Sequence, residues 1–167
     1  MATAVPINFD DVVGSITDVA KSLGVFKSVQ GGEPTSSPPG GGLTCSVWFL
    51  RLAPDLRSSG LNVTSVICVL TARIMGPDTY QPRDGEDPRM LRAASALFAA
   101  LSGDIDLSGP TGSSRIDEVD LLGRGAGGTP LSMQGGYVSM AGEGGEVYRI
   151  IDVTVPLILN DVYAQAR

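Results

Sequence analysis

The sequence predicts an α+β fold: a mainly antiparallel sheet of four to five strands with two helices packed on one face, plus long Gly/Pro-rich loops. Three observations carry that prediction. Two segments place apolar residues at three- and four-residue steps, the period of a helix buried along one side. Several others are β-branched or alternate in polarity, as strands do. The helical segments fall between groups of strands, an order that favours antiparallel neighbours over a parallel βαβ sheet. A chain of 167 residues fits a single domain, 1–167, large enough to bury a core, and its 22 glycines and 11 prolines cluster in loops.

The first helix is NFDDVVGSITDVAKSLG. Asn8 is its cap, Asp10 and Asp11 face the positive end of the dipole, and Lys21 lies in the last turn. Phe9, Val12, Val13, Ile16, Val19, Ala20 and Leu23 form its apolar stripe, and Gly24 stops it. VFKSVQ is a short strand. Residues 31–43, opening with GGEPTSSPPGGG, are a flexible loop by composition, either idle or a partner-binding arm.

LTCSVWFLRL is a strand, joined through APDLRSSG to NVTSVICVLTARIM, Asn62 to Met75. The second run is long and unbroken, so it reads as a strand buried for much of its length and antiparallel to the first. After the loop GPDTYQPRDGEDP, Asp87 caps a second helix and Pro88 takes its first position. Met90, Leu91, Ala94, Leu97, Phe98 and Leu101 line it, and its alanines allow close approach to a sheet. SRIDEVDLLG is a strand or extended edge. Residues 123–145 form a glycine-rich excursion with a short strand at GGYVSM. EVYRIIDVTVPLI closes the fold, with Val147, Ile151, Val153 and Val155 on one side together with Arg149. Tyr148, Ile150, Asp152 and Thr154 lie on the other, and Pro156 points to an edge, a strand end or a bulge.

Composition narrows the function. The formal net charge is −6, which argues against a surface that grips nucleic-acid phosphates but suits one that DNA passes without sticking. Histidine is absent, removing the commonest general acid–base group and the commonest zinc ligand. Cys45 and Cys68 form neither a disulfide framework nor a metal knuckle; they read as small core residues on neighbouring strands, reduced in a cytoplasm. MATAVPINFDD lacks a signal-peptide pattern, and no apolar run is long enough to span a bilayer. The glycosylation sequon Asn62-Val63-Thr64 carries little weight without such a signal.

One motif invites a cofactor. Gly123, Gly125 and Gly128 in LLGRGAGGTP match G-x-G-x-x-G, the spacing that cradles a dinucleotide pyrophosphate. That cradle needs a helix starting at the loop, and Pro130 with Gly135 and Gly136 leaves no room for one. The motif therefore reads as a loop, with a small nucleotide-binding enzyme using Gly123–Gly128 as the alternative from a different class. The carboxylates of DGEDP lack an EF-hand layout and read as a solvated helix start, as Asp104 and Asp106 read as turn acids. With no histidine to activate a thiol and no base beside the Ser-rich turns, no catalytic residue, metal site or cofactor is expected.

What remains is an interaction protein. Gly/Pro arms on a rigid sheet suit contacts that order on meeting a partner. Arg124, Leu131, Met133 and Tyr137 are the side chains of the glycine-rich excursion able to anchor a subunit or partner contact.

The order of elements resembles the tail terminator proteins of long-tailed, siphovirus-type bacteriophages. It is carried by NFDDVVGSITDVAKSLG, NVTSVICVLTARIM, DPRMLRAASALFAALSG and EVYRIIDVTVPLI. The likeness covers nearly the whole chain through length, order and pattern, with no sharp motif from which single residues carry over. The glycine-rich segments are longer than the family's minimal pattern. The resemblance implies a structural virion protein without enzymatic activity, forming a hexameric ring of head-to-tail subunits. Such a ring caps the tail tube and joins it to the head-completion or connector complex. It implies a place at the head–tail junction, assembly in the host cytoplasm, DNA passing the lumen without specific binding, and no membrane. Another neck (head-closure) protein or a tail-tube protein is the nearest alternative, though a tube protein favours more strands and less helix.

Overall fold

The computed structural model describes residues 7–35, 41–55, 65–76, 88–103, 116–125, 128–139 and 147–159. The chain has an α+β fold; among the described residues it is built on a curled, mixed sheet of six strands, with two helices on one face. Helix α1 (Phe9–Ser22) buries Val12, Ile16 and Ala20, one residue per turn. Its buried hydroxyls stay satisfied locally: Ser15 donates to the Asp11 carbonyl at 3.0 Å and Thr17 to the Gly14 carbonyl at 2.8 Å. Asn8 holds the cap position in extended geometry, but its side chain makes no capping bond. Gly24 ends the helix at φ 65°, its N–H donating to the Lys21 carbonyl at 3.1 Å.

Strand β1 (Ser28–Gly31) pairs in parallel with β2 (Thr44–Pro54), whereas every other pairing is antiparallel. Parallel strands need a crossover of about a dozen residues. The Gly/Pro-rich segment between them is that crossover, which gives it a structural task. Its return is close-packed: a Cβ on Gly42 would lie 2.7 Å from the Lys27 Cβ.

β2 pairs with β3 (Val66–Met75) through a bulge at Leu50, and β3 pairs over its full length with β6 (Val147–Leu159). Helix α2 (Pro88–Gly103) begins at Pro88 as expected; Asp87 and the other carboxylates of DGEDP, Asp104, Asp106 and the sequon lie outside the described residues. The helix-side core joins Val12, Ile16 and Leu97 to Leu70, Val155 and Leu157, all essentially inaccessible to solvent.

The far edge of β6 is shared by two strands in line. β4 (Ile116–Val119) pairs with Leu157–Leu159, and β5 (Ser132–Ser139) with Val147–Thr154. Pro156 sits in the interval between them. This corrects two of its three expected placements: it is interior to a strand paired on both sides, at neither an edge nor a strand end, and the irregularity it marks is the interruption of the facing ladder. The Pro156 carbonyl accepts from the Asp120 N–H at 2.8 Å, so the position that lacks a donor faces the break between β4 and β5. A residue's N–H and C=O point to the same side of a strand, so proline costs no ladder bond to β3 there.

Candidate interaction surface

At the break between β4 and β5 the chain leaves at Asp120 and returns at Leu131, and these ends meet: the Leu131 N–H donates to the Asp120 carbonyl at 3.3 Å. Asp120 is buried. Its carboxylate accepts from the Arg124 N–H at 3.0 Å and from the Gly125 N–H at 2.8 Å. The G-x-G-x-x-G loop is thus built round an internal carboxylate, which occupies amides of the kind a phosphate would seek. Gly123 and Gly128 adopt φ 65° and 58°, and the chain continues from Gly128 into strand β5 instead of a helix. The glycines serve close packing. A Cβ on Gly125 would collide with the Ile67 side chain, and one on Gly123 would lie 2.8 Å from the Pro130 nitrogen.

The loop lies over the sheet face opposite the helices. Ile67 belongs to that face, and Arg51 donates to the Thr129 hydroxyl at 2.8 Å. Strand register groups Ile67, Val69 and Ile158 at one end of this face, and Met75, Tyr148 and Ile150 at the other. Between them runs a polar belt and a groove of about 480 Å³, bordered by Glu33, Trp48, Thr71, Arg73, Gln134 and Asp152. Arg73 and Asp152 are direct cross-strand partners joined by two 2.8 Å hydrogen bonds. The Arg73 guanidinium also lies 5.2 Å from the Trp48 ring centre. Its hydrogen bond to Asp152, aided by the charges of Asp152 and Glu33, raises its pKa against an opposing burial effect, so it stays cationic.

The residues expected to make contacts separate into three settings. Arg124 is exposed on the loop, with its backbone engaged by Asp120. Leu131 turns inward and joins the helix-side core, so its side chain is spent within the subunit. Met133 and Tyr137 share one face of β5 and are exposed, Tyr137 by 62%. The Arg149 guanidinium lies 5.3 Å from the Tyr137 ring centre. The structure therefore brings Met133 and Tyr137 together, apart from Arg124 and Leu131.

Sequence reasoning missed the apolar side chains exposed along the second half of β2, Phe49, Leu50 and Leu52. Phe49 packs edge-to-face on Phe9 of α1, with ring centres 4.9 Å apart. The signal was present in WFLRL, where three apolar residues in succession break strand alternation. Sequence reasoning also missed the Arg73–Asp152 pair, for which a cation inside the apolar run VICVLTARIM was the available cue.

Cys45 and Cys68 are fully buried, and burial pushes each thiol up to about 12. Both lie on neighbouring strands, but they do not face each other. Cys45 is level with Ile74 and Cys68 with Leu52, six positions apart along β3, or about 20 Å. Among the described residues, no three of His, Cys, Asp and Glu group as metal ligands, and no helix is long and apolar enough to cross a membrane.

Compared with known proteins, the chain matches no protein-family model and no curated sequence.

Proposed function

We propose that this chain is a tail terminator of a long-tailed bacteriophage: a structural, non-enzymatic protein that assembles into a ring, of six subunits by the family resemblance. The ring caps the tail tube and docks to the head-completion complex at the head–tail junction. The observation that carries the reading is the order α1-β1-β2-β3-α2-β4-β5-β6, with the closing strand β6 inside the sheet between β3 and the pair β4 and β5. This is the order on which the resemblance rests. The proportion of helix favours a terminator over a tail-tube protein. The acidic balance suits a lumen that DNA crosses without being held.

A specific observation weighs against the nucleotide-enzyme alternative: the Asp120 carboxylate already occupies amides of the glycine loop. Imaging virions that carry a tagged copy of the chain tests the proposal. Label at the neck is expected; label in the capsid shell or baseplate overturns it. Added to polymerising tail-tube protein, the purified chain should also stop elongation and remain at one tube end.

A further inference from the structure

The sheet has two flanks that meet no partner strand among the described residues. On one side, β1 pairs only with Thr44–Val47, which leaves the outer edge of β2 open from Trp48 to Pro54. On the other, β5 lies outermost along Val147–Thr154 of β6. Natural edge strands are usually blunted by charge, proline or a bulge. SMQGGYVS, the whole of β5, contains no charged residue and no proline. The bulge at Leu50 bends the β2 flank, which disfavours indiscriminate strand stacking and leaves side chains to set the fit.

These flanks are chemically complementary. By register, Phe49 and Leu52 point to the helix side of the sheet, opposite Leu70 and Cys68. Met133 and Tyr137 point to the same side, opposite Val153 and Arg149. All four are exposed. Asp10, which follows Phe9 in the first turn of α1, is exposed, whereas the β5 flank presents the Arg149 guanidinium against Tyr137. On the helix side, one flank is apolar with an acid beside it and the other apolar with a basic border, while Arg51 of the β2 flank points to the opposite face. They lie at opposite sides of one sheet and on the same layer.

We infer that the β5 flank of one copy, Met133 and Tyr137, docks on the β2 flank of a second copy, Phe49 and Leu52. Arg149 then faces Asp10 across the contact. Two different surfaces meet, so the contact is heterologous and repeats head to tail, closing where the rotation per copy allows. The inference deepens the ring reading and rests on it only for closure.

The test uses two single-cysteine additions to the chain, Met133→Cys and Leu52→Cys. Both sites are exposed, while the native thiols are buried. The concentrated variants are treated with a short bismaleimide, alone and mixed. The mixture is expected to give at least about tenfold more cross-linked dimer than either variant alone, a ratio that marks a specific contact. Adding Tyr137→Lys to the Met133→Cys partner should cut that product about tenfold, with the thermal unfolding of the single copy unchanged. Absence of a mixed product, or an equal product from Met133→Cys alone, overturns the inference. Label at the virion neck without the mixed cross-link would sink this contact and spare the terminator reading. The mixed cross-link with label elsewhere in the virion would do the reverse.

Discussion

The two faces of the sheet are buried by different means. On the helix side, Leu70, Val155 and Leu157 sit under α1 and α2 in a mainly aliphatic core, with Phe26 and Phe98 packed against it. On the other face the described residues include no helix. Ile67 is sealed by the glycine loop, and Met75 packs with Tyr148 and Ile150 across strands. A polar belt of Trp48, Arg73 and Asp152 separates these two apolar ends. The first face is held by area, and the second by particular contacts that a single atom can spoil.

That difference predicts unequal responses to truncation. Leu97 of α2 is fully buried in the larger core, so Leu97→Ala removes its contacts and leaves a cavity beneath the helix. A loss of about 2–5 kcal/mol is expected by chemical denaturation, with the midpoint moved and the slope retained. A loss below this range would mean that α2 rests loosely on the sheet and that the helix side is not the main core.

The opposite face should be most sensitive at its loop. Asp120→Ala leaves the Arg124 and Gly125 amides without their acceptor and is expected to cost about 1–3 kcal/mol. Gly125→Ala forces a methyl group against Ile67 and should cost a similar amount, about 1–3 kcal/mol, by overpacking. Because both changes act on one loop, the double variant should lose less than the sum. Additive losses would show that the carboxylate and the glycine act independently, in conflict with a loop held as a unit.

The same division sets what could be read from sequence. The helix side was legible because periodicity reports burial directly. Val12, Ile16 and Ala20 recur by turns, and β3 carries apolar residues without a break. The parallel pairing of β1 was not legible, since four residues carry no direction and the crossover reads only as loop. The collinearity of β4 and β5 was hidden for a related reason. Their joint strand is interrupted by twelve residues that return to their starting point, and only the Asp120–Leu131 closure reveals it. Leu131 looked like a contact residue because composition places it in a glycine-rich excursion, yet position at the loop's end turns it inward. Pro156 gave a correct signal of a missing ladder partner and an incorrect one of an edge.

Alkaline pH probes the helix side through its two thiols. Both are pushed from 9.0 up to about 12 by burial, so the folded state retains protons that the unfolded state releases. Below about pH 9 both states are protonated and the thiols add no pH dependence. Above it the unfolded state binds fewer protons, and stability falls by up to about 1.4 kcal/mol per pH unit for each thiol until the folded pKa is reached. The Cys45→Ala, Cys68→Ala double variant should therefore lose less stability than the parent between pH 9 and pH 10. Equal slopes would place the thiols in contact with solvent and contradict the helix-side packing.

The smallest effect belongs to the polar belt. Arg73 and Asp152 are joined by two short bonds, but their side chains remain 17% and 27% exposed. Full burial would make loss of one partner severe, while full exposure would make the pair nearly worthless. The bidentate geometry lifts it above an ordinary surface pair, and solvent access keeps it below a buried one. A double-mutant cycle with Arg73→Met and Asp152→Leu should give a coupling of about 1 kcal/mol, weakening as salt is added. A larger, salt-insensitive coupling would mean that the belt is sealed from water and that this face, too, behaves as a core. No coupling at all would leave the Trp48 stack as the contact that holds Arg73, and Trp48→Leu would then be the more damaging change.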